Sequence, residues 1–252
     1  MKAALEWQVA MGLDEAIADA PIDRFAEPEP VPATAPAQVP ASEPVKTGPD
    51  PVAIARAAAE AATTLEGLRA AMEAFEHCDL KRGARQLVFS DGRPGARVMI
   101  IGEAPGRDED LAGRPFVGRA GQFLDLMVSH IGLSRTAPDA EAALYNTNVV
   151  PGRPPQTRDP RPDEVAMMLP FLEKHVALAD PDVIIAMGNH ATGALIGKTG
   201  ITRLRGTWSE ALGRPVLPMF HPAYLLRNPA AKREVWADLL ELRAYLDGGD
   251  ET

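Results

Sequence analysis

Four short polar runs in this sequence each follow a β-branched stretch, and each carries side chains able to do acid–base or hydrogen-bond chemistry. Gly102-Glu103-Ala104-Pro105-Gly106 leads into Arg107-Asp108-Glu109-Asp110, a tight turn with more carboxylate than a structural loop requires. Asn148 lies in "NTNVV", ahead of the proline-stiffened "PGRPPQTR". Gly188-Asn189-His190 closes a third apolar run, and Met219-Phe220-His221-Pro222 closes a fourth, followed by Ala223-Tyr224-Leu225-Leu226-Arg227. Each run has a structural alternative. Glycine and proline make turns, Asn148 can cap one, residues 108–110 can be the acidic first turn of a helix, and a histidine before proline can be satisfied within the fold. Glu103, Asn148 and His221 together offer a carboxylate to manage water or a cation, an amide with donor beside acceptor, and an imidazole able to meet a developing anion. The amide is the selective member. It matches an edge presenting N–H beside C=O, as uracil does, and mismatches the corresponding edge of cytosine, where each buried unmatched group costs about 1–3 kcal/mol.

The elements that must bring these groups together are legible as alternating patterns. The runs "ARVMIIG", "ALYNTNVV", "DVIIAMG" and "PVLPMFHP" read as strands, and "AGQFLDLMVSHIG", "PDEVAMMLPFLEKHVAL", "NHATGALIG" and "AKREVWADLLELRAYL" read as helices. Strands alternating with helices predict a three-layer α/β/α fold with a central four-stranded parallel sheet, both faces covered. The domain is expected over 52–252, with its motif-bearing core at 76–246. Ligands of such sheets bind beyond the carboxyl ends of the strands. Glu103, Asn148 and His221, drawn from three different strands, are therefore expected at one sheet edge. Upstream, "PVAIARAAAEAATTLEGLRAAMEAFEHC" predicts one long helix or two broken near Thr63 and Thr64. Residues 26–51 read as a proline-rich linker and residues 1–25 as an amphipathic helix.

Composition narrows the class. The net charge is −9, but the excess acid sits mostly in the first 77 residues, and residues 78–246 are close to neutral with more arginine than lysine. A phosphate-facing arginine patch and scattered surface arginine are both compatible with that balance. The single cysteine argues for a reducing compartment, and the expected location is the cytoplasm. Glu6, Asp14 and Glu15 interrupt the apolar run a signal peptide would need. No stretch approaches the roughly 18 apolar residues of a membrane span, so no membrane partner is expected.

The stretches "GEAPGRDEDLAGRPFVGRAGQ", "NTNVVPGRPPQTRDPRPDE", "DVIIAMGNHA" and "FHPAYLLRNP" resemble, in order and spacing, the family 4 branch of the uracil-DNA glycosylase superfamily, from about Phe75 to the C-terminal helix. The resemblance implies hydrolysis of the N-glycosidic bond of deoxyuridine in DNA, giving free uracil and an abasic site, by a monomer that needs no cofactor for the chemistry. By position it implies that Asn148 reads the uracil edge and Phe116 stacks on the flipped base. Gly102 and Ala104 shape the pocket, Glu103 and Glu109 manage water and sugar cation, and His221 faces the leaving uracil. Arg153, Arg205 and Arg227 are expected to contact DNA, with Tyr224 or Leu225 as the wedge entering the duplex. Such an enzyme flips the base because the glycosidic bond is inaccessible within the stack.

The sequence also departs from that family. Its members typically hold a [4Fe–4S] cluster on four cysteines, where this chain has Phe75, Cys78, Gly152 and Met168. Four thiolates are what such a cluster requires. The cluster is therefore expected to be absent, no metal is expected, and Phe75 and Met168 are expected to pack as an apolar plug. Thr157 stands where some relatives carry asparagine. The stretch "GKTGITRLRG" has no histidine, so the covalent trapping of a related branch is not expected. Two rivals remain at this point: a glycosylase for hypoxanthine or xanthine, and a non-catalytic module that binds uracil or abasic DNA.

Overall fold

The structure, a computed structural model, describes residues 50–155 and 158–248. The expected helix over 1–25, the linker up to residue 49, and Thr157 lie outside the described residues.

Six strands form one mixed sheet among the described residues: β1 (Asp91–Gly92), β2 (Val98–Gly102), β3 (Leu144–Asn148), β4 (Val183–Met187), β5 (Ser209–Ala211) and β6 (Arg214–Met219), in the order β1-β3-β2-β4-β6-β5. The four strands expected from sequence are β2, β3, β4 and β6, and they run parallel. The expected sheet of four is corrected to six, because short antiparallel edge strands, β1 against β3 and β5 against β6, extend it on both sides. Strands of two and three residues are too short to carry an alternation, so the pattern could not announce them.

Both sheet faces are buried. Met99, Ile101, Tyr145, Ile184, Ala186 and Val216 pack into one apolar layer, while Val98, Ile100, Leu144, Val183, Ile185 and Leu217 pack into the other. That period of two explains why the strands read as unbroken apolar runs.

The first layer contains α1 (Pro51–Ala61), α2 (Leu65–Ala74), α6 (Pro162–Ala179) and α7 (Gly188–Ile196). The second contains α5 (Arg119–Ser129) and α10 (Lys232–Leu246). Short helices α3 (Leu80–Gly83), α4 (Arg107–Ala112), α8 (Ile201–Leu204) and α9 (Pro222–Arg227) fill the connections. The break anticipated at Thr63 and Thr64 separates α1 from α2. There the Thr64 hydroxyl accepts the Gly67 N–H at 3.1 Å and caps the second helix. No helix of the described residues is long and apolar enough to cross a membrane.

Neighbouring strands β2 and β4 send their following helices, α5 and α7, to opposite faces. A crevice opens beyond the carboxyl ends of strands at such a reversal.

Candidate active site

That crevice is a cavity of about 420 Å³, and it gathers Glu103, Ala104, Glu109, Phe116, Asn148, Arg153, His221, Tyr224 and Arg227 from the sequence-derived set. Glu103 follows β2, Asn148 ends β3, and His221 follows β6, so the expected convergence of three strands is met.

Gly102 does not itself line the cavity but lies behind two side chains that do, Asn148 and Phe116. It pairs in parallel register with Asn148, and a Cβ at Gly102 would overlap Asn148 Oδ1 and lie 2.7 Å from Phe116 Cζ. Only glycine lets the Asn148 amide and the Phe116 ring come this close to the backbone at the end of β2. Phe116 is itself held in a strained left-handed conformation at φ 55°, with its ring buried. Three groups hold it there. Arg135 donates to the Phe116 carbonyl at 2.9 Å, and a Cβ on Gly121 of α5 would run into that same carbonyl. Glu109 Oε1 accepts the N–H groups of Val117 and Gly118 at 3.0 and 2.9 Å. One oxygen of Glu109 is thus committed to the loop that presents Phe116.

His221 lies across from that ring, the two centroids 6.0 Å apart and the planes 28° from parallel. Its Nδ1 accepts the Ala223 N–H at 3.2 Å, which leaves the neutral ring's proton on Nε2. Burial pushes the imidazole down to about 4, with Arg227 acting in the same direction and Glu109 opposing. At neutral pH His221 is an uncharged donor. Gly188, at φ 88°, lets β4 turn tightly beside it; a Cβ there would sit 3.1 Å from the His221 Cβ.

Glu103 is raised above the ordinary carboxylate range by burial, and His190 works against that rise. His190 Nδ1 lies 2.6 Å from Glu103 Oε2. The sequence marks His190 as part of the third strand's polar exit, but its pairing with Glu103 depends on the β2–β4 neighbour relation, which the pattern alone does not give. Asp159 and Arg158 also line the cavity without having been singled out.

Two placements correct the reading from sequence. Leu225 is fully buried in the same apolar layer as Phe116, because that side of α9 packs against α5. It is no wedge; the exposed apolar side chains of that helix are Tyr224 and Leu226. Arg205 does not line the cavity. Its Nε donates to Asp238 Oδ2 at 2.9 Å and its terminal nitrogen to the Glu234 carbonyl at 2.7 Å. Asp238 is almost wholly buried, and an unpaired carboxylate there would be costly, so Arg205 serves the fold. Arg153 and Arg227, by contrast, carry no ion pair among the described residues and face the cavity.

The four positions matched to cluster ligands also come together. Phe75, Cys78, Gly152 and Met168 border a second cavity of about 410 Å³. Phe75 and Met168 are both buried, and Phe75 packs edge-on to Phe171 at 5.4 Å. Burial pushes the Cys78 thiol up, and the carboxylates of Glu164, Asp79 and Asp163 push it the same way. One protonated thiol, a thioether, a phenyl ring and a glycine do not fit a [4Fe–4S] cluster, which needs four thiolates. The adjoining loop is pinned instead by Glu164, a fully buried carboxylate on α6 that accepts Arg158 at 2.8 and 2.6 Å and the Arg161 N–H at 2.7 Å. The Pro151 carbonyl adds a bond from the Val88 N–H at 2.9 Å.

Comparison with known proteins agrees with this architecture. Residues 89–240 match the Uracil DNA glycosylase superfamily. A type-4 uracil-DNA glycosylase of Sulfurisphaera tokodaii is 35% identical over 190 residues, covering 71% of this chain and 84% of that protein. One from Thermotoga maritima is 37% identical over 174 residues, covering 67% and 88%. A third, from Saccharolobus solfataricus, is 35% identical over 182 residues, covering 68% and 81%. With the matched region containing every strand and the whole cavity, this chain belongs to the uracil DNA glycosylase superfamily.

Proposed function

We propose that this protein is a uracil-DNA glycosylase that hydrolyses the N-glycosidic bond of a deoxyuridine flipped out of DNA. The observation that carries the reading is the single cavity on which the Asn148 amide, the Phe116 ring and the neutral His221 converge. The flipped base stacks on Phe116 and pairs its N–H and C=O edge with Asn148. As the C1′–N1 bond breaks, its electron pair moves into the uracil ring, and the His221 Nε2–H meets the negative charge growing on O2. Glu103 takes a proton from the water that bonds to C1′, and its charge steadies the sugar cation. Glu109 contributes through the loop it ties, keeping Phe116 in place. Arg153 and Arg227 meet phosphates, while Tyr224 and Leu226 fill the gap left in the stack. The products are free uracil and an abasic site. On this reading the protein acts as a monomer.

Every step uses side chains of this chain and water. The enzyme works without an iron–sulfur cluster, on the chemistry of its donor set: Cys78 is the sole cysteine. The apolar packing of Phe75 and Met168 and the Glu164 anchor take over the cluster's structural task.

The test is release of base from single- and double-stranded oligonucleotides containing uracil, hypoxanthine or thymine, read as strand breakage after alkali, with iron measured on the same sample. Breakage at uracil by iron-free protein is the expected result. Preferential release of hypoxanthine would reassign the substrate, binding without breakage would make the protein a non-catalytic module, and iron in the active sample would overturn the cluster-free reading. Asn148→Ala in the same assay should lose about 10² in rate, as two polar groups of the bound base are left unmatched. An unchanged rate would remove Asn148 from recognition.

A further inference from the structure

His190, a residue outside the reaction described above, contacts two of the side chains that line the cavity. His190 stands in the first turn of α7, and both of its ring nitrogens face carboxylates: Nδ1 lies 2.6 Å from Glu103 Oε2 and Nε2 lies 3.5 Å from Asp159 Oδ2. A ring approached by a carboxylate at each nitrogen is held in orientation from both sides. The three side chains come from separate places: Glu103 from the end of β2, His190 from the end of β4, and Asp159 from the loop anchored by Glu164. Asn189 holds the neighbouring backbone, its Oδ1 accepting the Gly200 and Ile201 N–H groups at 2.8 and 3.1 Å.

We propose that His190, braced on its far side by Asp159, is a positioning residue that keeps the Glu103 carboxylate oriented and charged for work on water. The inference rests on the role given to Glu103 above. Without the brace, burial of Glu103 acts unopposed and moves the group further above the ordinary carboxylate range, toward the protonated form that can neither accept a proton nor oppose a cation. Burial raises Glu103 and His190 lowers it, consistent with the geometry. The other titratable or charged groups lining the cavity are Glu109, Asp159, His221, Tyr224, Arg153, Arg158 and Arg227. Glu109 is bonded to backbone amides, His221 is neutral, and Arg158 is engaged by Glu164. His190 is the group placed to compensate the Glu103 charge directly.

The experiment is single-turnover uracil excision at saturating enzyme from pH 5 to 9, with EDTA present, for the wild type, His190→Ala, His190→Asn and Glu103→Gln. Loss of the brace raises the pH at which Glu103 ionises, so the acid limb of His190→Ala should move to higher pH. Its rate should fall about tenfold at pH 6 and much less at pH 9, where the carboxylate is charged without help. His190→Asn restores one neutral hydrogen bond but no charge, so it should regain the wild-type rate at pH 9 and keep the displaced limb. A profile of both His190 variants that overlays the wild type, beside an inactive Glu103→Gln, would overturn the inference alone. A fully active Glu103→Gln would overturn both the inference and the role of Glu103 in the reaction. Wild-type activity that is lost in EDTA and returns with zinc would also overturn the inference, because the trio would then be holding a cation and not a proton.

Discussion

Gly102→Ala is expected to lower uracil excision by about 10³ or more while the protein remains folded. A Cβ at this position meets Asn148 Oδ1 and, at 2.7 Å, Phe116 Cζ, so the methyl group pushes against both the amide and the ring that form the walls for the base. Neither wall can move away cheaply. Asn148 is fixed by its register on β3, and Phe116 is pinned by Arg135, Glu109 and Gly121. The substitution therefore removes two contributions at once. Stacking on an aromatic ring is worth about 1–3 kcal/mol per base, and the unmatched amide costs about 1–3 kcal/mol for each group. Their sum corresponds to a loss near 10³ in rate, more than the loss expected for Asn148→Ala alone. The measurement is single-turnover excision beside a thermal melt. Retained excision in a folded Gly102→Ala protein would mean that the base lies elsewhere in the cavity.

The same residues show how far the sequence reaches. The four parallel strands and the major helices beyond residue 50 were legible because a buried parallel strand has to be apolar throughout and a covering helix has to be amphipathic. Glu103, Asn148 and His221 were legible because each ends such a strand with a polar residue, and strand ends share one edge. Leu225 and Arg205 were misjudged for a common reason. Their types suit a wedge and a phosphate contact, yet which way a side chain turns on a short helix or loop is decided by its partners, here the apolar layer beneath α9 and the buried Asp238. His190 escaped assignment because its partner is 87 residues away on a neighbouring strand exit, a proximity that sheet order creates. The change of residue types at Phe75, Gly152 and Met168 was readable, but the Glu164 anchor beside them was not. Glu164 reads as an ordinary acidic residue in the first turn of a helix, and only the fold shows it fully buried and holding the loop through Arg158.

His221→Ala is expected to reduce single-turnover excision by about 10²–10³ without abolishing DNA binding. The Nε2–H is a preorganised donor in a largely dry site, aimed where negative charge grows only as the bond breaks, and loss of one such donor costs about 2.7–4 kcal/mol of transition-state stabilisation. A neutral donor also has a definite pH signature. The folded-state value is about 4 against an ordinary 6.5, so the unfolded chain takes up a proton at His221 before the native protein does. Stability from this group is fully present above about pH 6.5 and is lost as pH falls toward 4. The wild type should therefore lose stability across that window more steeply than His221→Ala, the remaining slope coming in part from His175, which is buried and also held down to about 4. The excision rate should show no limb near pH 6.5 assignable to His221. Such a limb, present in the wild type and missing from His221→Ala, would mean that the reacting form is the imidazolium, and the leaving uracil would then be stabilised by a full positive charge in place of a neutral hydrogen bond.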